Sequence, residues 1–489
     1  MATTGCLAVN CSVGILTSTR KYEKRCCACS RWSQKSDRTH NRIASVCVRD
    51  EERWVYQGPL TFDSRPSNYC SRISQPCRPR PISEARVSAG REIQSLEQDH
   101  KCTDAHHNGN ISDEASSVKT YDLVTLSNLC VDVIVPCDSL PSSDEDERKT
   151  LLHYLTENPP SISSWEVGGN TNTLIAASRL GMTVGSVGHV GRDRFGYFMQ
   201  DVLSKEGVFM ASGIVEEDSD LAKGFDTLVC FVLVDKETGE HSFCSRYDFG
   251  PWPLFRSVTS LSESVKNVIS RTRSVFVNGF VFDEMPESLV VSAAHYAQQH
   301  GALVLFDPGP RSWTFGEGDR RHALESMLDV SDVVLMTEEE AAVVVGTDDA
   351  VDAAERLMAR PNSHAQWVVI KRGSKGAVLG EKRTGKLYHQ DGYTVDVKDT
   401  VGCGDSFAAA IALGCTHNKD VVATLALAGA VGAATAMGTG AGRNVATIDK
   451  VSTILKTNAS NTPREVTDAA WNIVLEACSI SDEASNPSV

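Results

Sequence analysis

Three things are missing from this chain of 489 residues. It has no run of roughly 18 or more uninterrupted apolar residues, so nothing in it reads as a membrane-spanning helix. The most apolar stretch, Ala423 to Met437, is rich in Ala and Gly and reads as a buried helix. There is no excess of base either: 48 Lys and Arg face 63 Asp and Glu, a net charge of −15. A surface of that sign does not suit a nucleic-acid backbone, which needs a basic face, although a nucleotide needs only a few local donors. Finally, no Gly-x-x-x-x-Gly-Lys-Ser/Thr segment occurs, which excludes an ordinary P-loop enzyme. A soluble protein with no membrane or nucleic-acid partner is the expectation.

A disulfide framework is also not expected. Of the 16 cysteines, nine precede residue 115; the seven later ones are Cys130, Cys137, Cys230, Cys244, Cys403, Cys415 and Cys478. Those seven lie in apolar runs, where a thiol behaves as a small hydrophobe, and a reducing compartment follows. Cys26, Cys27 and Cys29 cluster without a second ligand pair at zinc-finger spacing.

What the amino terminus does have is base without acid. Between Met1 and Arg49 nine Lys and Arg face only Glu23 and Asp37, in a background rich in Ser, Thr and Cys. Residues 1–50 therefore read as a transit peptide, for a plastid before a mitochondrion, with a plain extension as the alternative. Residues 51–117 are polar, carry Arg78-Pro79-Arg80-Pro81, and read as a linker without periodic structure. Order is expected over 118–455, followed by a C-terminal helix and tail at 456–489.

Within that region apolar runs alternate with helical patterns. Strands are expected at Tyr121 to Leu126, Val131 to Val135, Thr183 to Val187, Ser274 to Asn278, Leu303 to Phe306, Val333 to Leu335 and Trp367 to Ile370. Helices are expected at Thr173 to Leu180, Pro286 to His300, Arg321 to Leu328, Glu338 to Val345 and Val351 to Ala359, with an acidic loop at Ser142 to Glu147. Repeated strand–helix units imply an α/β fold: a doubly wound, mostly parallel sheet with helices on both faces. Leu228 to Asp235 and His241 to Tyr247 form a hairpin pattern outside that rhythm and read as part of a small β lid. Ligands of such sheets bind beyond the carboxyl ends of the strands.

The segment that carries chemistry is Asp399-Thr400-Val401-Gly402-Cys403-Gly404-Asp405-Ser406-Phe407, which opens an Ala-rich helix. Two glycines around a small residue let Gly402, Cys403 and Gly404 turn their N–H groups the same way, at the positive end of a helix that favours an anion. Asp405 stands beside that cradle, where a carboxylate can take a proton from a hydroxyl attacking a phosphoryl group. A plain helix start with an acidic first turn would use the same residues.

Asp-Thr-x-Gly-x-Gly-Asp-x-Phe resembles the C-terminal signature of the PfkB (ribokinase-like) carbohydrate kinases, with Cys403 where Ala is usual. Gly168-Gly169-Asn170-Thr171-Asn172 resembles the N-terminal motif of that family, one residue short. Gly188-His-Val-Gly191-Arg-Asp193-Arg-Phe-Gly196 resembles its second glycine turn, and Phe306-Asp307-Pro308-Gly309-Pro310-Arg311 its Phe-Asp-x-Asn-x-Arg segment. The resemblance implies an ATP- and Mg2+-dependent sugar kinase in which Asp405 is the base and Gly402, Cys403 and Gly404 form the anion hole. Asp132, Gly168, Gly169 and Asn172 would then bind the hydroxyl acceptor, Asp132 standing at the end of the first strand. Arg372, Gly373, Gly376 and Gly440 would border the nucleotide. Glu340 would hold Mg2+ through water, although Thr337 stands where the family has Asn and a Thr-capped helix explains the same residues. Asp399 would be a K+ ligand or a structural carboxylate. A non-catalytic scaffold in an organellar transcription complex is the alternative function; neither the acceptor nor the oligomeric state is readable.

Overall fold

The computed structural model describes residues 46–50, 53–57, 119–142, 144–214, 219–220, 224–237, 241–246, 255–457 and 462–485. The rest of the expected transit segment and linker, with Cys26, Cys27 and Cys29, lies outside them. Strands β1 (Val46–Asp50) and β2 (Arg53–Gln57) pair antiparallel, Val48 opposite Val55, in a unit of their own spanning residues 37–116. That corrects a reading without strands there: Val, Trp and Tyr at these positions favour extended backbone.

The main body contains β3 (Tyr121–Leu126), β4 (Leu129–Cys137), β5 (Trp165–Gly169), β6 (Val184–Val187), β7 (Val208–Ser212), β8 (Leu228–Asp235) and β9 (His241–Ser245). It continues with β10 (Thr272–Asn278), β11 (Leu303–Asp307), β12 (Val333–Thr337), β13 (Trp367–Lys371), β14 (Ala377–Glu381) and β15 (Lys386–Gln390). Nine of them form one sheet in the order β15-β14-β13-β12-β11-β10-β3-β6-β7, parallel from β13 to β7 and closed by an antiparallel edge. From β3 the chain winds outward to β7, then returns to β10 on the other side of β3. The switch point is therefore the gap between β3 and β10, where a doubly wound sheet leaves a crevice.

Alternating residues of each central strand feed two cores. Leu123, Phe276, Leu305 and Val369 pack with the helices Cys403–Thr416 and Val421–Ala436; Val124, Val277, Phe306 and Val368 pack with Glu287–Gln299 and Gly318–Val330. Burial on both faces is why these strands read as near-continuous apolar runs. At native packing density a fully buried Phe cut to Ala costs about 3–5 kcal/mol.

The lid is real and larger than the hairpin expected: four strands in the order β5-β4-β8-β9. Val131, Val133 and Val135 are buried, while Asp132 and Ile134 between them are only half-buried. Asp132 therefore sits inside a lid strand, not at the end of the first strand. Strands β5, β7, β14 and β15 were not anticipated; two are short and Gly-bearing (Trp165–Gly169, Ala377–Glu381) and carry little pattern. The acidic loop is in part a helix, Glu145–Glu157, capped by Asp144, which accepts from the N–H groups of Asp146 and Glu147 at 3.1 Å each.

Candidate active site

Polar groups gather where the central strands end. After β3 the chain turns into the lid through two left-handed residues, Ser127 (φ 49°) and Asn128 (φ 53°). Such backbone costs free energy unless something holds it. Here the buried Glu284 carboxylate accepts from the Ser127 hydroxyl and, at 3.2 Å, from the Asn128 N–H. Asn170 completes the brace: its Nδ2 donates to the carbonyls of Leu126 (3.1 Å) and Ser127 (2.8 Å), and its Oδ1 accepts from Asn278 at 2.8 Å.

The diglycine has a steric reason. A Cβ on Gly168 would stand 2.2 Å from Oδ2 of Asp132, and one on Gly169 would stand 2.3 Å from the Asn128 carbonyl at a φ of +63°. The next helix runs Asn170–Arg179, starting three residues earlier than expected, so the shortened motif puts Asn172 in its first turn. There Nδ2 of Asn172 donates to Oδ2 of Asp405 at 2.9 Å and its Oδ1 accepts the Gly442 N–H at 2.8 Å. Asn172 thereby orients the expected base, a role that the sequence reading gave it only toward the acceptor.

Between lid and sheet lies a cavity of about 320 Å³. The lid contributes Cys130, Asp132, Cys230, Phe243 and Ser245; the sheet edge contributes Asn128, Asn278, Phe280 and Arg311; Gly169, Asn172 and Asp405 complete the wall. The volume suits a small polyhydroxylated molecule. Asp132 is raised to about 7, chiefly by burial and further by Glu166 and Asp405, against a thiol hydrogen bond from Cys130. Burial likewise raises Asp405, with Asp307 adding to the shift while Asn172 and Lys371 oppose it.

Gly402 caps the helix Cys403–Thr416 in the left-handed region (φ 77°). Among the described residues the N–H groups of Gly402, Gly404 and Asp405 have no protein acceptor, and that of Cys403 makes a turn bond of 3.3 Å to the Thr400 carbonyl. Three open amides at the start of a 14-residue helix make an anion cradle. The Cys403 thiol is pushed up to about 12 by burial and by Asp399 and Asp405, so it is a neutral spacer.

The remaining expected residues lie apart from the cavity. Arg372 donates to Glu338 at 3.0 Å, and Gly376 backs onto the Gln390 carbonyl; with Gly373 they form the turn between β13 and β14. Asp399 accepts from the N–H groups of Val401 (3.0 Å) and Gly440 (2.8 Å), bracing the cradle loop against 438–442 as a structural carboxylate would. Glu340 closes a capping box with Thr337 and is raised to about 7 by burial, opposed by Lys371 and reinforced by Asp307. No cluster of three or more His, Cys, Asp or Glu side chains that could hold a metal ion occurs among the described residues.

Sequence reasoning assigned no role to Asn128, Asn278, Phe280, Phe243, Asp307 or Arg311, and took Lys371 only as the start of the 371–376 segment that resembles the family's nucleotide-side loop. Asp307 and Arg311 stood in a quoted motif, which was the available signal. The cavity's other side chains come from segments far apart in the chain.

The family model for pfkB family carbohydrate kinase matches residues 157–448. A 5-dehydro-2-deoxygluconokinase of Bacillus subtilis (strain 168) is 24% identical over 317 residues, 63% of this chain and 87% of that protein. Two solved structures share the fold. One is a ribokinase II from E. coli in complex with ATP and Mg2+ (TM-score 0.54, 19% identity, 69% of this chain and 99% of that one). The other is the ribokinase of Arabidopsis thaliana with ribose and ATP (TM-score 0.51, 20% identity, 69% and 99%).

Proposed function

We propose, from the premise that this chain belongs to the pfkB family of carbohydrate kinases, that it moves the γ-phosphoryl group of ATP onto a hydroxyl of a sugar-like acceptor held under the lid. The observation that carries the reading is the position of Asp405. Its carboxylate is at once part of the acceptor cavity and in the first turn of a helix whose open amides can hold a phosphoryl group.

The acceptor lies between Asp132, whose two oxygens can take a pair of vicinal hydroxyls, and the Asn128 and Asn278 edge. Asp405 takes the proton of the attacking hydroxyl and aims the oxygen in line, held in rotamer by Asn172. The amides of Gly402 and Gly404 meet the charge on the migrating group. The lid keeps water out, which matters because the same cradle would serve hydrolysis. Mg2+ bound to the triphosphate would neutralise its charge, and Glu340 and Asp307 would hold it through water. Asp399 is engaged by two N–H groups, which supports a bracing role over K+ binding.

Arg311 narrows the acceptor. Its Nε meets Oδ2 of Asp283 at 2.7 Å, its guanidinium carbon lies 5.0 Å from the centre of the Phe280 ring, and the residue lines the cavity. An acceptor with a carboxylate fits that cation, and the Bacillus subtilis relative is named for a gluconate derivative. The scaffold alternative is not favoured, because a scaffold has no use for a braced base over an acceptor-sized cavity.

ADP release measured across sugars, sugar acids, nucleosides and inositols tests the proposal. The expected result is acceptor-dependent release, largest with a sugar acid; ATP binding with no release on any acceptor would end it. Delivery to a plastid belongs to the same proposal, supported by the composition of residues 1–50. A fluorescent fusion of residues 1–117 that stays in the cytosol would remove it.

A further inference from the structure

The lid sets two carboxylates against each other. In the antiparallel register of β4 and β5, Asp132 stands directly opposite Glu166. Side chains opposite one another share a face of the sheet, and like charges placed so repel. Glu166 is nonetheless well covered, with a side-chain exposure of 13%. What it meets is Arg443, from the loop after the helix Val421–Ala436. Nε of Arg443 lies 3.1 Å from both Glu166 oxygens, and the Arg443 backbone N–H donates to Oε1 at 3.1 Å. Its Nη2 donates to the Trp165 carbonyl at 3.1 Å. That loop is itself fixed, because Arg179 donates to the carbonyls of Arg443 (3.0 Å) and Val445 (2.8 Å).

We propose that Arg443 is a positioning residue of the acceptor site: by neutralising Glu166 it lets Asp132 meet the acceptor as a carboxylate; this rests on the kinase reading. Stability does not account for the pair, since Arg443 is 46% exposed and ion pairs open to water contribute little. Charge does. Burial first, then Glu166 and Asp405, raise Asp132 to about 7, while the Cys130 thiol opposes them. Its other neighbours are Cys230, paired beside it on β8, and Arg311 on the cavity wall. Asp132 is then about half ionised at neutral pH, where a change of charge at Glu166 has most effect.

Titration of Asp132 in the full chain, labelled with 13C at the aspartate carboxyls and read by NMR, tests this without turnover. Asp132→Asn identifies the signal. Arg443→Gln is expected to move the midpoint up by about one unit, Glu166→Gln to move it down, and the double substitution to fall between. A mere clasp between loop and lid is broken by either substitution, so a structural role predicts shifts of one sign. Arg443→Lys, which keeps the charge but not the fork, should stay near wild type. Glu166→Gln keeps the shape of its side chain, so its downward shift stands as a test even should Arg443→Gln not fold. A rise of one unit cuts the ionised fraction at pH 7 from about one half to about one tenth. With the sugar acid that gives the fastest ADP release, Arg443→Gln should therefore raise KM about fivefold at pH 7 and leave it near wild type at about pH 9.5. Shifts of the same sign in the two single variants, or none in either, would overturn the role of Arg443. Absence of ADP release on every acceptor would overturn the kinase reading while leaving those midpoints as expected.

Discussion

The two walls of the site are built by different means. The phosphate wall is backbone: Gly402, Gly404 and Asp405 fall within four consecutive residues, and one left-handed glycine opens the helix that carries their amides. The acceptor wall is side chain: Asp132 from β4, Cys230 from β8, Ser245 from β9, Asn278 from β10 and Arg311 beyond β11 meet only when the lid folds over the sheet. A backbone cradle recognises what every kinase substrate pair shares, and a side-chain wall recognises what differs. Changes on the first wall should therefore act on turnover, and changes on the second on acceptor affinity. Asp405 and Asn172 join the two.

Asp405→Asn gives the largest effect. The amide keeps shape and can still face Asn172, but it takes no proton, so kcat should fall about 1,000-fold or more while Mg·ATP affinity stays within a few-fold. In wild-type protein kcat/KM should drop on the acid side as the carboxyl protonates, at a pH above the ordinary carboxylate range because burial raises this group. Steady-state rates against pH check both. A kcat within tenfold of wild type would erase the proposed division between walls.

On the acceptor wall the expected signature is the reverse. Asp132→Asn should raise KM for the acceptor roughly 10–100-fold with kcat nearly unchanged, since a charged acceptor of two hydroxyl bonds is lost. With its proton leaving near pH 7, wild-type KM should fall as pH rises through that value, and the substitution should flatten the step. Stability moves the other way. A carboxyl whose folded pKa is raised contributes least above that pKa, so wild-type stability declines from about pH 4 to about 7 through this group. Asp132→Asn should accordingly raise the melting temperature at pH 8 and leave it near wild type at pH 4. A loss in kcat with unchanged KM would show that the lid side takes part in the chemistry.

The same contrast explains what was readable beforehand. The doubly wound sheet followed from runs such as Val333 to Leu335, whose burial on both faces leaves a continuous apolar signature, and the cradle followed from one local motif. Asp132 was singled out by its place in the order of motifs but put on the wrong element, because a half-exposed lid strand and the end of a sheet strand look alike over six residues. Lys371 and Asp307 were invisible as a pair: they are separated by a whole strand, β12, and only the sheet order makes them neighbours. Strand β5 was missed because its two glycines, required by the contacts with Asp132 and Asn128, erase the pattern that would have announced it.

The smallest effects lie at the edge of the phosphate wall, where Glu340 has two possible duties. Within the capping box it accepts the Thr337 N–H at 2.8 Å, and the Thr337 hydroxyl accepts the Glu340 N–H at 3.2 Å. Glutamine serves in such a box, so Glu340→Gln should leave the melting temperature nearly unchanged. Removing its charge should raise the Mg2+ concentration needed for half-maximal turnover only a few-fold, since the ion is held mainly by phosphate. Thr337→Ala breaks the cap but spares the carboxylate. It should cost about 1 kcal/mol, or about 1–2 °C in a domain of this size, with an unaltered Mg2+ requirement. Melting curves and Mg2+ titrations of the two variants should thus respond oppositely. If Glu340→Gln instead lowers stability as much as Thr337→Ala and leaves the Mg2+ titration untouched, Glu340 is a helix cap alone, and the phosphate wall ends at the cradle amides.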